Sequence, residues 1–319
     1  MLIVTNRNID ISNFKNGVGN ASAFGEIVNH KGPNEVRLAY AAKRDGKWQI
    51  RLIEEPVNLT DDNIPSKKVF DQLRNKLIND KKNCIFFVHG FNQSFEENIE
   101  KAFEIEKKHS VEVIAFSWPS NPGGFITKEY RHAKRTAKAS NAALDSTLEK
   151  LGRYLKEPFN RNSLLKCDVK FSFMAYSLGN YLFQNYVIDS IYEDETRIFD
   201  NIILCQADVD NEGHAEWVDR IEAGKRIYIT INENDWVLKW SDANFQKDRL
   251  GRTARNLNSR KAIYFDFTDG ENVRNTHGIF HEDTNSVVKE FFTTVLNGER
   301  GETTQGLLYD SRKNAYCMS

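Results

Sequence analysis

The chain has 319 residues, of which 40% are hydrophobic, 28% charged and 12% aromatic, a make-up that excludes disordered and fibrous classes. Its 44 Lys and Arg nearly cancel 45 Asp and Glu, so no global field favours nucleic acid or an anionic membrane. No uncharged apolar run reaches the roughly 18 residues that span a bilayer, and the apolar run after the first Met is too short for a signal-peptide core. A soluble, cytosolic protein without stable membrane insertion is expected. Its four scattered cysteines, Cys84, Cys167, Cys205 and Cys317, read as reduced thiols.

The first sixty residues are β-rich. LIVT near the start is followed by EVRLAYAAK and KWQIRLIEE, which flank Arg44-Asp45-Gly46, and an Asp-Gly pair between strand-like runs predicts a hairpin. From Pro65 the texture becomes alternation. A helix is predicted over 65–80, with Phe70, Leu73 and Leu77 on one face and Pro65 in the first turn. The strand CIFFV follows, then a helix opened by Ser94 and Glu97 in capping-box spacing. Next come the strand VEVIAFSW, a long basic and Ala-rich helical segment over 127–156, and the strand VKFSFMAY.

Beyond Ser177 the pattern predicts a helix through Ile188, the strand NIILCQADV and a helix near 212–222. The strand RIYITIN, an irregular or helical stretch, the strand AIYFDF and a final helix over 284–296 complete it. Apolar runs alternating with amphipathic helices indicate an α/β fold, a mostly parallel sheet with helices on both faces and an N-terminal β-rich part. One domain over 1–297 is expected. The polar, aperiodic segment 298–319 reads as a flexible or loosely docked tail.

In such sheets the chemistry sits at the carboxyl ends of strands. VKFSFMAY runs into Ala175-Tyr176-Ser177-Leu178-Gly179, the G-x-S-x-G elbow with Ala for the first Gly. A turn that sharp needs small residues two before and two after the serine, and it places the serine at a helix N-terminus. The bland alternative is a serine that only caps the helix. His89-Gly90-Phe91-Asn92 ends CIFFV; backbone N–H groups of Phe91 and Leu178 are candidate oxyanion donors, and His89 itself is read as a loop histidine bonding backbone. For the general base, His277 after the last strand is preferred to His281, which enters the helical end. Two aspartates at strand ends compete as the acid, Asp235 after RIYITINEN and Asp208 after NIILCQA, and Asp235 is preferred.

These segments resemble the α/β-hydrolase superfamily, and within it a bacterial esterase- or lipase-like branch catalogued as a domain of unknown function. The resemblance is carried by Thr5-Asn6-Arg7, Val88-His89-Gly90-Phe91-Asn92 and Phe116-Ser117-Trp118-Pro119-Ser120 in the first half. In the second half it is carried by Tyr176-Ser177-Leu178-Gly179-Asn180, Ala207-Asp208-Val209-Asp210, Asn234-Asp235 with Arg249-Leu250-Gly251, and His277-Gly278-Ile279-Phe280. Tyr176 departs from the branch, which more often has His before the serine, and so bears on the pocket wall.

The resemblance implies a Ser–His–Asp hydrolase built on Ser177, His277 and Asp235. A carboxylic ester or thioester is the first expectation for its substrate, a lipid ester the second and a peptide the last, with neither metal nor organic cofactor needed. The competing reading is a catalytically silent scaffold that binds a small ligand or a protein. Trp118 is expected near the site or under its loop, against the alternative of a tryptophan buried for stability alone. The basic run Lys128–Lys138 reads as a solvated helix face rather than a nucleic-acid surface.

Overall fold

The computed structural model describes residues 1–56, 58, 60, 64–121, 126–189, 195–281 and 285–319. The chain divides into two compact units, Met1–Lys170 and Phe171–Ser319, where the sequence led us to expect one domain over 1–297.

The first unit opens with β1 (Leu2–Thr5), β2 (Arg7–Ile9), β3 (Val18–Gly19), β4 (Phe24–Val28), β5 (Arg37–Arg44) and β6 (Lys47–Leu52). The hairpin between β5 and β6 turns on Asp45 and Gly46, both at positive φ (49° and 76°), the conformation that matches the twist of paired strands. Then follow α1 (Pro65–Asp80), β7 (Cys84–Val88), α2 (Phe95–His109), β8 (Glu112–Ser117), α3 (Ile126–Ala139), α4 (Asn141–Lys156) and α5 (Pro158–Lys166). β7, β8 and β1 run parallel, while β5, β6 and β3 continue antiparallel. Ser94 caps α2 in the reciprocal box with Glu97 that its spacing predicts.

The long basic helix is broken in two. Ser140, buried between α3 and α4, accepts a hydrogen bond from Asn6 Nδ2 at 2.9 Å, and this distant partner is invisible to local periodicity. Along α3, Tyr130, Ala133 and Ala137 are buried while Arg131, His132, Arg135 and Lys138 are exposed, the amphipathic division of a helix lying on a core. Pro122, Gly123 and Gly124 of the expected pocket loop lie outside the described residues.

The second unit comprises β9 (Phe171–Tyr176), α6 (Gly179–Asp189), β10 (Asn201–Cys205), α7 (His214–Val218), β11 (Arg226–Ile231), α8 (Trp236–Phe245), β12 (Ala262–Asp266), α9 (Ser286–Leu296), β13 (Leu307–Asp310) and β14 (Ala315–Met318). β9, β10, β11, β12 and β14 are parallel in that order, with β13 antiparallel at the edge. Successive strand residues face opposite sides of a sheet. On β9, Phe173 meets Phe183 of α6 with ring centroids 4.4 Å apart, whereas Ser172 donates to the Val295 carbonyl of α9 at 3.2 Å. Those two helices therefore cover opposite faces. Buried Ile202, Ile203, Leu204, Ile229 and Tyr264 fill the layer between.

The expectation of a loosely docked tail is corrected. Residues 307–318 form a hairpin whose second strand pairs with β12, Phe265 opposite Tyr316 and Asp266 opposite Cys317. The Phe265 and Tyr316 rings stack at 5.1 Å, Lys313 pairs with Asp266 at 2.8 Å, and Leu307 and Ala315 are buried. No helix among the described residues is long and apolar enough to cross a membrane.

Candidate functional site

Ser177 leaves β9 at φ 53°, a left-handed conformation that costs a residue bearing a side chain about 1–3 kcal/mol and persists only where surroundings enforce it. The enforcement is visible. Ser177 N–H continues the β9–β10 ladder to Cys205 O at 3.0 Å, and Ser177 O accepts from the Asp208 and Asn180 amides at 3.2 and 3.0 Å. Inside the turn, the buried Asn180 side chain reaches Ala175 O and Ser177 O at 3.0 and 3.1 Å. The sharp turn read from Ala175 and Gly179 is thus present, and Asn180 is the residue that ties it.

His277 follows β12 on an irregular loop, and Asp235 ends the loop after β11. His277 Nε2 lies 2.9 Å from Ser177 Oγ, and Nδ1 lies 2.6 Å from Asp235 Oδ2. Asp235 also caps α8: its Oδ1 accepts from the Val237 and Leu238 amides at 3.0 and 3.1 Å. With the carboxylate acting only as acceptor, the proton of the neutral imidazole belongs on Nδ1, leaving Nε2 to accept from the serine hydroxyl. Asp235 is fully buried, and the His277 side chain retains 12% exposure.

Asp208 lies beside the turn, its amide bonded to Ser177 O, but its carboxylate has other partners. It is buried with Arg249, whose Nε lies 3.3 Å away, and accepts from Ser241 Oγ at 2.8 Å. The same guanidinium also binds Asp210. The second strand-end aspartate therefore braces its loop through an arginine, the bland role that its Asp-Val-Asp context allowed. His281 lies in a short helical turn over 279–281, its ring 3.9 Å from that of Phe280.

Tyr176 packs its ring against those of His277 and Phe280, each at 5.0 Å. Burial foremost, with Asp235 and the Cys205 thiol adding to it, pushes its phenol well above the ordinary 10, so it stays neutral. Gly278, at φ 94°, faces that phenol so closely that a Cβ would lie 3.1 Å from its oxygen. The positive φ favours glycine there, and a side chain would also crowd the phenol.

The remaining expected residues belong to the first unit. His89 is fully buried; its Nε2 accepts from the Trp118 amide at 3.2 Å, so Nδ1 carries the proton and donates to Gly90 O at 2.9 Å. Burial first, then nearby Arg7, drives its pKa well below 6.5. Trp118 is also fully buried, stacks on His89 at 5.4 Å and donates to His89 O at 2.9 Å. It packs against the loop after β7. Phe91 follows on that loop, its ring edge-on to Tyr130 at 5.4 Å. Buried Arg7 holds the loop's far end, its guanidinium donating to Gln93 O at 2.8 Å and to Ser117 Oγ at 3.0 Å.

Two side chains were missed. Asn232 donates to Arg274 O and Thr276 O at 3.0 and 3.1 Å, and Gln206 bonds both Asp235 and the backbone around His277. Their signal was position alone: each is the polar residue directly after a buried strand.

Comparison with curated proteins and with solved structures finds no match. The profile of a family described as an alpha/beta hydrolase of unknown function (DUF900) matches residues 66–287, which include all the segments just described from the loop after β7 to the histidine loop. The chain belongs to this α/β-hydrolase family.

Proposed function

We propose that the protein is a serine hydrolase that cleaves a carboxylic ester or thioester through an acyl-enzyme. The observation that carries this reading is the unbroken line Asp235 Oδ2 to His277 Nδ1, and His277 Nε2 to Ser177 Oγ, at 2.6 and 2.9 Å on a strained, firmly held turn.

In this reading Ser177 Oγ attacks the substrate carbonyl as its proton passes to His277 Nε2, and Asp235 steadies the imidazolium. The Leu178 amide, at the N-terminus of α6, is one donor to the developing oxyanion. Collapse expels the alcohol or thiol, which takes the proton from Nε2; water then repeats the sequence on the acyl group and releases the acid. Every proton moved is accounted for by serine, histidine, leaving group and water.

A series of p-nitrophenyl esters and acyl thioesters of increasing chain length tests the reading. Turnover that Ser177→Ala lowers by at least about 10³-fold, with folding intact, supports it. No turnover of any member by folded protein would favour the silent scaffold.

A further inference from the structure

The Gln206 side chain uses all of its hydrogen-bonding capacity on Asp235 and on the backbone flanking His277. Its Nε2 donates to Asp235 Oδ2 at 2.6 Å and to Thr276 O at 2.9 Å, while its Oε1 accepts from the Gly278 and Ile279 amides at 2.6 and 2.8 Å. The amide orientation follows from its partners, because only oxygen can receive two N–H groups and only nitrogen can donate to a carboxylate and a carbonyl. Three of the four bonds go to the residues on either side of His277, and the fourth goes to the oxygen that His277 itself uses.

The rest of the fold holds Gln206 where it can do this. It follows β10 at φ 39°, its own N–H donates to Thr230 Oγ1 at 3.1 Å, and its side chain is fully buried. Gly251 comes so near that a Cβ there would lie 2.2 Å from the Gln206 carbonyl carbon, and the Gly251 N–H donates to Ala207 O at 2.9 Å. A residue in a left-handed conformation, clamped by a glycine, with a saturated amide is far more constraint than burial of a glutamine alone calls for.

We propose that Gln206 is a positioning residue that fixes the Asp235 carboxylate and the His277 loop to each other. It acts by setting the distance and angle of the Asp235–His277 hydrogen bond and by keeping the carboxylate oriented toward Nδ1. The consequence for catalysis rests on the hydrolase reading above. Leucine at this position removes all four bonds. Glutamate keeps nearly the same shape but sets two carboxylates within hydrogen-bond distance, which cannot both be ionised. Protonated, its O–H donates to Asp235 and its other oxygen still accepts from Gly278 and Ile279. Once that shared proton leaves, repulsion opens the pair.

Full-length Gln206→Leu and Gln206→Glu test this, with circular dichroism following the fold. Proton NMR of the wild type is expected to show a low-field Nδ1–H resonance, assigned by its absence in His277→Gln; Gln206→Leu should broaden or abolish it. Against an ester substrate, Gln206→Leu should lower kcat by roughly 10- to 100-fold with KM little changed. For Gln206→Glu, the ratio of its kcat/KM to that of the wild type should fall as pH rises, a dependence that packing alone does not produce. If Gln206→Leu does not fold, the glutamate variant carries the test by itself. An unchanged resonance with kcat within about twofold of wild type, or a ratio for Gln206→Glu that is flat with pH, overturns the proposal. A resonance that depends on Gln206 in a protein without hydrolytic activity would remove the hydrolase reading and leave the positioning role standing; an active enzyme indifferent to Gln206 does the reverse.

Discussion

Asp208 and Arg249 form a buried ion pair, Nε to Oδ1 at 3.3 Å, beside the strand whose end carries Asp235. Two aspartates at neighbouring strand ends thus have different partners, one a guanidinium and the other an imidazole. Asp235→Asn is expected to leave the protein folded and reduce kcat by about 10⁴-fold, because an amide there can donate to Nδ1 and favours the wrong tautomer. Asp208→Asn should instead cost stability, about 3–5 kcal/mol if Arg249 is left buried with its charge only partly met, with kcat much less affected. Kinetics and denaturant melts on the two variants separate these outcomes; loss of turnover in Asp208→Asn at unchanged stability contradicts the assignment.

His89 gives the fold a sensitivity to acid. Its folded pKa lies below the ordinary 6.5, so near and below that value the unfolded chain binds a proton that the folded chain does not. Its contribution is therefore full above about pH 6.5 and is lost as pH falls from there toward the lowered folded value. His89→Gln should flatten the decline of unfolding free energy below pH 6 by up to about 1.4 kcal/mol per pH unit, whatever its effect at neutral pH. Urea melts at pH 5, 6 and 7 measure this. Buried His214, also shifted downward mainly by burial, leaves a remaining slope in the variant. A slope unchanged by His89→Gln refutes the attribution.

The C-terminal hairpin is expected to be part of the folded core rather than an appendage. Deleting 305–319 removes the Phe265–Tyr316 stack, the Lys313–Asp266 pair and the strand covering β12, leaving that strand as an open edge. A loss of at least about 2 kcal/mol, or poor solubility, is the expected result. Wild-type stability in the truncated chain would contradict it.

What the sequence made legible was local. Ala175 and Gly179 around Ser177 declare a tight strand-to-helix turn, Ser94 with Glu97 declares a cap, and Asp45-Gly46 declares a hairpin, because each demand is met within a few residues. Strand ends could be read too, which put Asp235 and His277 forward before any geometry was known. What failed was long-range. Gln206 meets partners 29 to 73 positions away, Asn6 bonds the Ser140 side chain 134 positions distant, and β14 pairs with β12 through short alternating runs that carry little signal alone. Asp235 was preferred to Asp208 by strand order, but the pairing of Asp208 with Arg249 is a long-range contact that no spacing rule states.

The central claim is that Ser177 is a nucleophile activated by His277 and Asp235, and covalent capture tests it most directly. Folded protein treated with a fluorophosphonate should gain one label, located by peptide mass spectrometry on Ser177. Labelling should be lost in Ser177→Ala and slowed strongly in His277→Gln. Folded wild type that takes no label, or takes it on another residue while Ser177→Ala labels equally well, would contradict the account.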